Sequence, residues 1–261
     1  GAGYRRLGEI MGDSLTANLG QSTSAAVAYE RSLGLLRRAL ALAPEHPEVR
    51  FELAKTLGAR SFHLQNNGQQ AAAAIDSREL AQIAEQLVAA YPGERRYQLL
   101  LSAALLSLGR LQDAGNHLAD LGDAKAAGVS FERARAIREA LVESDPANLE
   151  YRVALASSYG RLSAWQTRHG SLTAAQEMMT RQLALQEAIA AADPEDDDVR
   201  RNLAVMVSNA ATLARQANDW ARSDLLIEKA LPLYEQLWQR DTQNMNAAKD
   251  LAIGLRDAAE L

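Results

Sequence analysis

Residues 47–93 read PEVRFELAKTLGARSFHLQNNGQQAAAAIDSRELAQIAEQLVAAYPG, and this stretch contains the whole architecture in miniature. Val49, Leu53, Leu57 and Leu64 recur at helical spacing, then Ile75, Leu80, Ile83, Leu87 and Val88 do the same. Pro47 stands where a first-turn proline is tolerated. Asn66-Asn67-Gly68 separates the two apolar stripes and favours a left-handed helix end. Tyr91-Pro92-Gly93 stops the second stripe. The stretch therefore predicts two antiparallel helices, A over about 47–65 and B over about 69–90.

The punctuation repeats along the chain. Turn residues recur at Gly20, Gly68, Gly122, Gly170 and Asn218, and breaks recur at Pro44, Pro92, Pro146, Pro194 and then Thr242. Both series are spaced 48, 54, 48 and 48 residues, and each turn residue precedes its break by 24. An internal period of this size specifies an array of helix pairs. The expected fold is all-α, a right-handed superhelical solenoid of antiparallel helix pairs. Its units cover about 1–44, 45–92, 93–146, 147–194 and 195–242, with a terminal helix at 243–261, forming one continuous domain over 1–261. B helices are expected at about 22–43, 69–90, 123–144, 172–192 and 219–240. The six extra residues of the third unit are expected to lengthen its A helix or add a turn near Gly115. Asp145-Pro146 and Asp193-Pro194 are expected to place an acidic cap just before a helix start.

Small residues hold a fixed place. Five positions after each turn come Ala25, Ala73, Ala127, Ala175 and Ser223. Four further on come Tyr29, Ser77, Phe131, Met179 and Ile227. On the A helices stand Leu7-Gly8, Leu57-Gly58, Leu108-Gly109, Tyr159-Gly160 and Val207-Ser208. Small residues at these points let paired helices approach closely while bulky neighbours fill the groove. The pattern resembles the tetratricopeptide repeat (TPR), with helices longer than that family's usual unit. Leu80 and Gln182 depart from it, standing where a small B-helix residue is expected.

The opening residues carry a narrower resemblance. Gly3-Tyr4-Arg5-Arg6-Leu7-Gly8-Glu9-Ile10-Met11-Gly12, then Ala17-Asn18-Leu19-Gly20-Gln21-Ser22 and Ala25 to Tyr29, resemble the start of the repeat region that follows the membrane helix in bacterial transmembrane eukaryotic-like Ser/Thr kinases. That resemblance implies a sensory or partner-binding region, periplasmic as part of an inner-membrane protein. The alternative is a cytoplasmic scaffold that binds peptide tails. Both ends of the chain look cut, as in a fragment of a longer protein.

Composition narrows the chemistry. Cysteine is absent, which removes disulfides, thiolate metal sites and Cys nucleophiles. A net charge of −5 argues against a nucleic-acid surface. No stretch reaches the ~20 apolar residues of a membrane span, so no membrane insertion by these residues is expected. His-Arg-Asp and Asp-Phe-Gly kinase motifs are absent. An enzyme on this fold needs a convergent acid–base set, and none stands out. No cofactor and no metal are expected. His46, His63, His117 and His169 lie in different units and read as interhelix surface residues. The run Asp193 to Asp198 reads as an acidic helix start, and Trp165, Trp220 and Trp238 as packing between repeats, with Trp165 the best candidate for a ligand contact. A protein, peptide or small-ligand partner is expected in the concave groove, with self-association a further option. Contacts are expected from Lys55, Arg60, Arg152, Arg161, Trp165, Arg168, Asn202, Asn209 and Arg215, cations and amides suited to a carboxylate or an acidic peptide.

Overall fold

The computed structural model describes residues 1–12, 22–113 and 123–259. Among these residues the regular structure is entirely helical: α1 (Ala2–Gly12), α2 (Ser22–Leu42), α3 (Pro47–Asn66), α4 (Gln70–Ala90), α5 (Arg95–Asp113), α6 (Ala124–Ser144), α7 (Leu149–His169), α8 (Leu172–Ala192), α9 (Asp197–Gln216), α10 (Trp220–Arg240) and α11 (Met245–Ala259). Backbone packing divides the chain into two compact units, Gly1–Leu141 and Val142–Leu261. Helices that follow one another in sequence pack together, α1 through α5 in the first unit and α7 through α11 in the second.

Close approach within each pair comes from the small residues. Ala25, Ala73, Ala127, Ala175 and Ser223 are all fully buried. Opposite them the A-helix glycines press on B-helix side chains. A Cβ added at Gly8 would lie 2.7 Å from the Tyr29 ring, and one at Gly109 would lie 2.6 Å from the Phe131 ring. At Gly58 the nearest atom is Leu80 Cδ2, 3.4 Å away. Burial of such apolar contact at about 25 cal/mol per Å² is the main stabilising term in each pair. In the second unit the core gathers Leu183, Leu203, Val207, Tyr234 and Leu237 from α8, α9 and α10.

The turn residues at Gly68 and Asn218 adopt left-handed φ values of 74° and 59°, closing α3 and α9 as their sequence suggests. Gly170 closes α7 with φ −124° instead. Gly20, Gly115 and Gly122 lie outside the described residues.

One expectation is corrected. Asp145 and Asp193 do not cap the helices that follow them. Pro146 and Pro194 each open a short turn, and the helix begins three residues after the proline. The caps are Asn148, whose Oδ1 accepts from the Tyr151 amide at 3.2 Å, and Asp196, whose Oδ1 accepts from the Asp198 and Val199 amides at 2.8 and 3.1 Å. Asp197 and Asp198 then fill the first turn of α9, where the helix dipole favours negative charge. The expectation that the third unit's extra residues lengthen its A helix or add a turn near Gly115 falls on residues 114–122, outside the described residues.

Candidate functional site

A groove of about 600 Å³ lies over α7, α8 and α9, wholly within the second unit. One wall is α7, where Val153, Ser157, Gly160, Arg161, Ala164 and Thr167 recur at helical spacing. The other wall is α9, where Asn202, Asn209 and Gln216 follow one another at seven-residue intervals on one face. Met179, Gln182 and Gln186 of α8 form the floor. The lining holds one cation, Arg161, and no carboxylate.

The groove's polar groups are largely uncommitted. Thr167 and Thr212 donate to their own helices, at 2.8 Å to Ser163 O and 3.1 Å to Ser208 O. Arg161, Gln186, Asn202, Asn209 and Gln216 form no side-chain hydrogen bond or ion pair among the described residues. Loss of surrounding water, and then the like charge of Arg168, push the Arg161 guanidinium below its ordinary pKa, although the residue as a whole stays exposed. It remains a cation at neutral pH. Gln182 is only 7% exposed. Its Oε1 is buried without a hydrogen-bond partner, and its Nε2 donates to the thioether sulfur of Met206 at 2.8 Å.

In the first unit the place facing the glycine is apolar and the nearby arginine is satisfied internally. Gly58 faces Leu80 there, as Gly160 faces Gln182 here. Two residues on from Gly58, Arg60 binds Asp76 through two hydrogen bonds of 2.7 and 2.6 Å and also pairs with Glu30. Asp76 is 1% exposed, and its hydrogen bonds are the main cause that raises the Arg60 pKa. Beside this pair Ser61, Ser77 and Ser107 are linked in series at 2.7 and 2.8 Å. A groove over α4, α5 and α6 also exists in this unit, but Arg133 on its rim is paired with Glu85 at 3.1 Å.

Of the residues singled out in the sequence, the groove brings together Arg161, Asn202 and Asn209. Lys55 and Arg60 belong to the first unit. Lys55 lies 3.7 Å from Glu52 and over the Phe51 ring, and Arg60 is held by its two carboxylates. Arg152, Trp165, Arg168 and Arg215 stand outside the lining. The Trp165 ring packs 5.9 Å from that of His169, and Arg215 Nε donates to Ser223 at 3.1 Å. Trp238 packs against the second unit's core, whereas Trp220 is 60% exposed at the start of α10. His63 is not a surface residue: it is buried and packs 5.6 Å from the Tyr29 ring, because its helix turns that face toward α2. His117 lies outside the described residues. Among those residues no group of three or more His, Asp or Glu converges as a metal site.

Sequence reasoning did not select Gln182, Gln186, Gln216 or Met206. A signal for Gln182 was present, since it breaks the small-residue pattern of its helix. The others follow only from the way α8 and α9 face α7.

No protein-family profile and no curated protein matches the chain. Solved structures do. The chain superposes on the crystal structure of BtubC (BKLC) from P. vanneervenii with a TM-score of 0.59 and 17% identity, over 90% of this chain and 87% of that one. The fold is a TPR-like helical repeat. Looser likenesses are a thermophilic TPR protein from Thermus thermophilus, with a TM-score of 0.45, 19% identity and 97% of each chain covered, and a de novo designed helical repeat protein, with a TM-score of 0.28, 16% identity and 82% of this chain against 95% of that one.

Proposed function

We propose that the chain is a non-catalytic binding module whose α7–α9 groove holds an acidic segment of a protein or peptide partner. The observation that carries this reading is Arg161. It is an unpaired arginine in a groove with no carboxylate of its own, flanked by the unpartnered amides of Asn202 and Asn209. Arginine in a partly dry groove favours a planar anion through charge-assisted hydrogen bonds, and the amides supply both donors and acceptors to an extended chain. Titration calorimetry with capped acidic peptides tests it. Arg161→Ala and Asn209→Ala should each weaken binding about tenfold, the scale of one charge-assisted hydrogen bond. Unchanged affinity in both would remove the groove from consideration.

The finer reading is that this module is the sensory region of a bacterial transmembrane Ser/Thr kinase, held in the periplasm. The Tyr4-Leu7-Gly8 helix followed by Ala17-Asn18-Leu19-Gly20 supports it. Among the described residues no helix is long and apolar enough to cross a membrane, so a span must come from elsewhere in the parent protein. Sequencing the parent transcript upstream of these residues is the test. A kinase domain followed by ~20 apolar residues is the expected result. An upstream region lacking both would leave a cytoplasmic adaptor for peptide tails.

A further inference from the structure

Gln182 occupies a place that the fold fills more simply elsewhere. Gly160 and Gln182 are 22 residues apart, as are Gly58 and Leu80, and in both pairs the B-helix side chain lies against the A-helix glycine. Leucine at this place is apolar and needs no partner. Glutamine brings a carboxamide into a nearly sealed position, where an unmet polar group is costly. Its Oε1 has no partner and its Nε2 has only a sulfur, a weak acceptor. Turning the amide over merely exchanges the two ends. The carboxamide is therefore unsatisfied in either orientation.

The next residue in the chain after Gly160 is Arg161, and the groove opposite carries Asn202 and Asn209. A ligand that satisfies this set must offer a donor and an acceptor together to Gln182 and an anion to Arg161. A bare carboxylate fits Arg161 but sets acceptor against acceptor at Oε1. A peptide group offers an N–H and a C=O, and an acidic side chain beside it supplies the anion.

We propose that Gln182 reads the main chain of an extended acidic segment: its carboxamide pairs with one peptide group of the ligand while the neighbouring Asp or Glu of that ligand meets Arg161. This rests on the reading of the α7–α9 groove as the binding site. Met206 is the movable part. Its unbranched side chain covers the carboxamide in the free protein and has the torsional freedom to swing away when a peptide group replaces the sulfur.

The test uses the full chain and the capped pentapeptide acetyl-Ala-Ala-Glu-Ala-Ala-amide, together with its single N-methyl analogues. Affinity is read by titration, and the Gln182 side-chain amide by nitrogen-edited NMR. Wild-type protein should bind with a shift of the Gln182 NH2 signals, and at least one N-methyl analogue should bind about tenfold more weakly. Gln182→Leu should melt higher than wild type and bind about tenfold more weakly. Gln182→Met, closer in shape, guards against a packing failure in the leucine variant and should do the same. A purely structural glutamine would lower the melting temperature when replaced. Retained affinity or a lowered melting temperature in Gln182→Met overturns this inference, and if Arg161→Ala still loses binding the groove reading survives it. Absence of pentapeptide binding to wild type overturns both.

Discussion

Two glycines with the same structural role should respond differently to alanine. Gly58 and Gly109 are both interior to A helices and both face a buried B-helix side chain. Alanine in a helix interior is favoured over glycine by about 1 kcal/mol, so both variants begin with that gain. At Gly58 the new methyl would sit 3.4 Å from Leu80 Cδ2, ordinary van der Waals contact, and the gain survives. At Gly109 it would sit 2.6, 2.8 and 3.1 Å from three atoms of the Phe131 ring. That ring is 1% exposed, so it has nowhere to retreat, and overpacking of this kind costs about 1–3 kcal/mol. The net expectation is Gly58→Ala stabilised by up to about 1 kcal/mol, and Gly109→Ala neutral to destabilised by about 2 kcal/mol. At about 2–4 °C per kcal/mol for a chain of this size, the two melting temperatures should separate by several degrees. Thermal melts read the separation, and amide exchange in α3–α4 and α5–α6 assigns it to the altered hairpin. Equal shifts in both variants would refute the claim that helix approach is limited by these glycines.

Other outcomes follow from the same geometry. Asp76→Asn should cost about 3 kcal/mol in urea denaturation, because it strips a nearly sealed partner from Arg60; the joint replacement Arg60→Met with Asp76→Leu should recover most of that loss. Arg138 is 5% exposed, and burial lowers its guanidinium to about 10. The unfolded chain binds that proton more tightly, so the stability difference between wild type and Arg138→Met should be flat below about pH 10 and shift toward wild type as pH rises beyond it; a flat difference through pH 11 counts against the buried charge. Asp196→Ala should destabilise by about 1 kcal/mol through loss of the α9 cap, seen as faster amide exchange in the first turn of that helix. Arg161→Ala should leave the melting temperature unchanged, since the side chain has no internal partner.

Much of the fold is readable in the sequence alone, and the reason is local. The B helices fall at 22–42, 70–90, 124–144, 172–192 and 220–240, within a residue of the boundaries set by turn residues and apolar period. Those signals act over a few residues and need no tertiary information. The misreadings have tertiary or conformational causes. An Asp before a proline looks like a cap until the proline opens a turn of its own and passes the role to Asn148 or Asp196. Arg60 looks like a free cation on helix A, but hairpin closure brings Asp76, sixteen positions later, into its plane. His63 looks like a surface residue until its helix rolls that face onto Tyr29. Arg161 and Asn209 line one groove because both lie on A-helix faces that turn toward each other. Gln182 was visible only as an irregularity, and its unmet carboxamide appears once Gly160 and Met206 are placed around it.

Where an acidic segment settles decides whether the α7–α9 groove is the binding site. Amide hydrogen exchange of the whole chain, with and without saturating acetyl-Ala-Ala-Glu-Ala-Ala-amide, reads that location helix by helix. Slowed exchange confined to α7, α8 and α9 is the predicted result. Slowing centred on the α4–α6 groove, or none at any peptide concentration, would contradict the claim that the second unit carries the binding site.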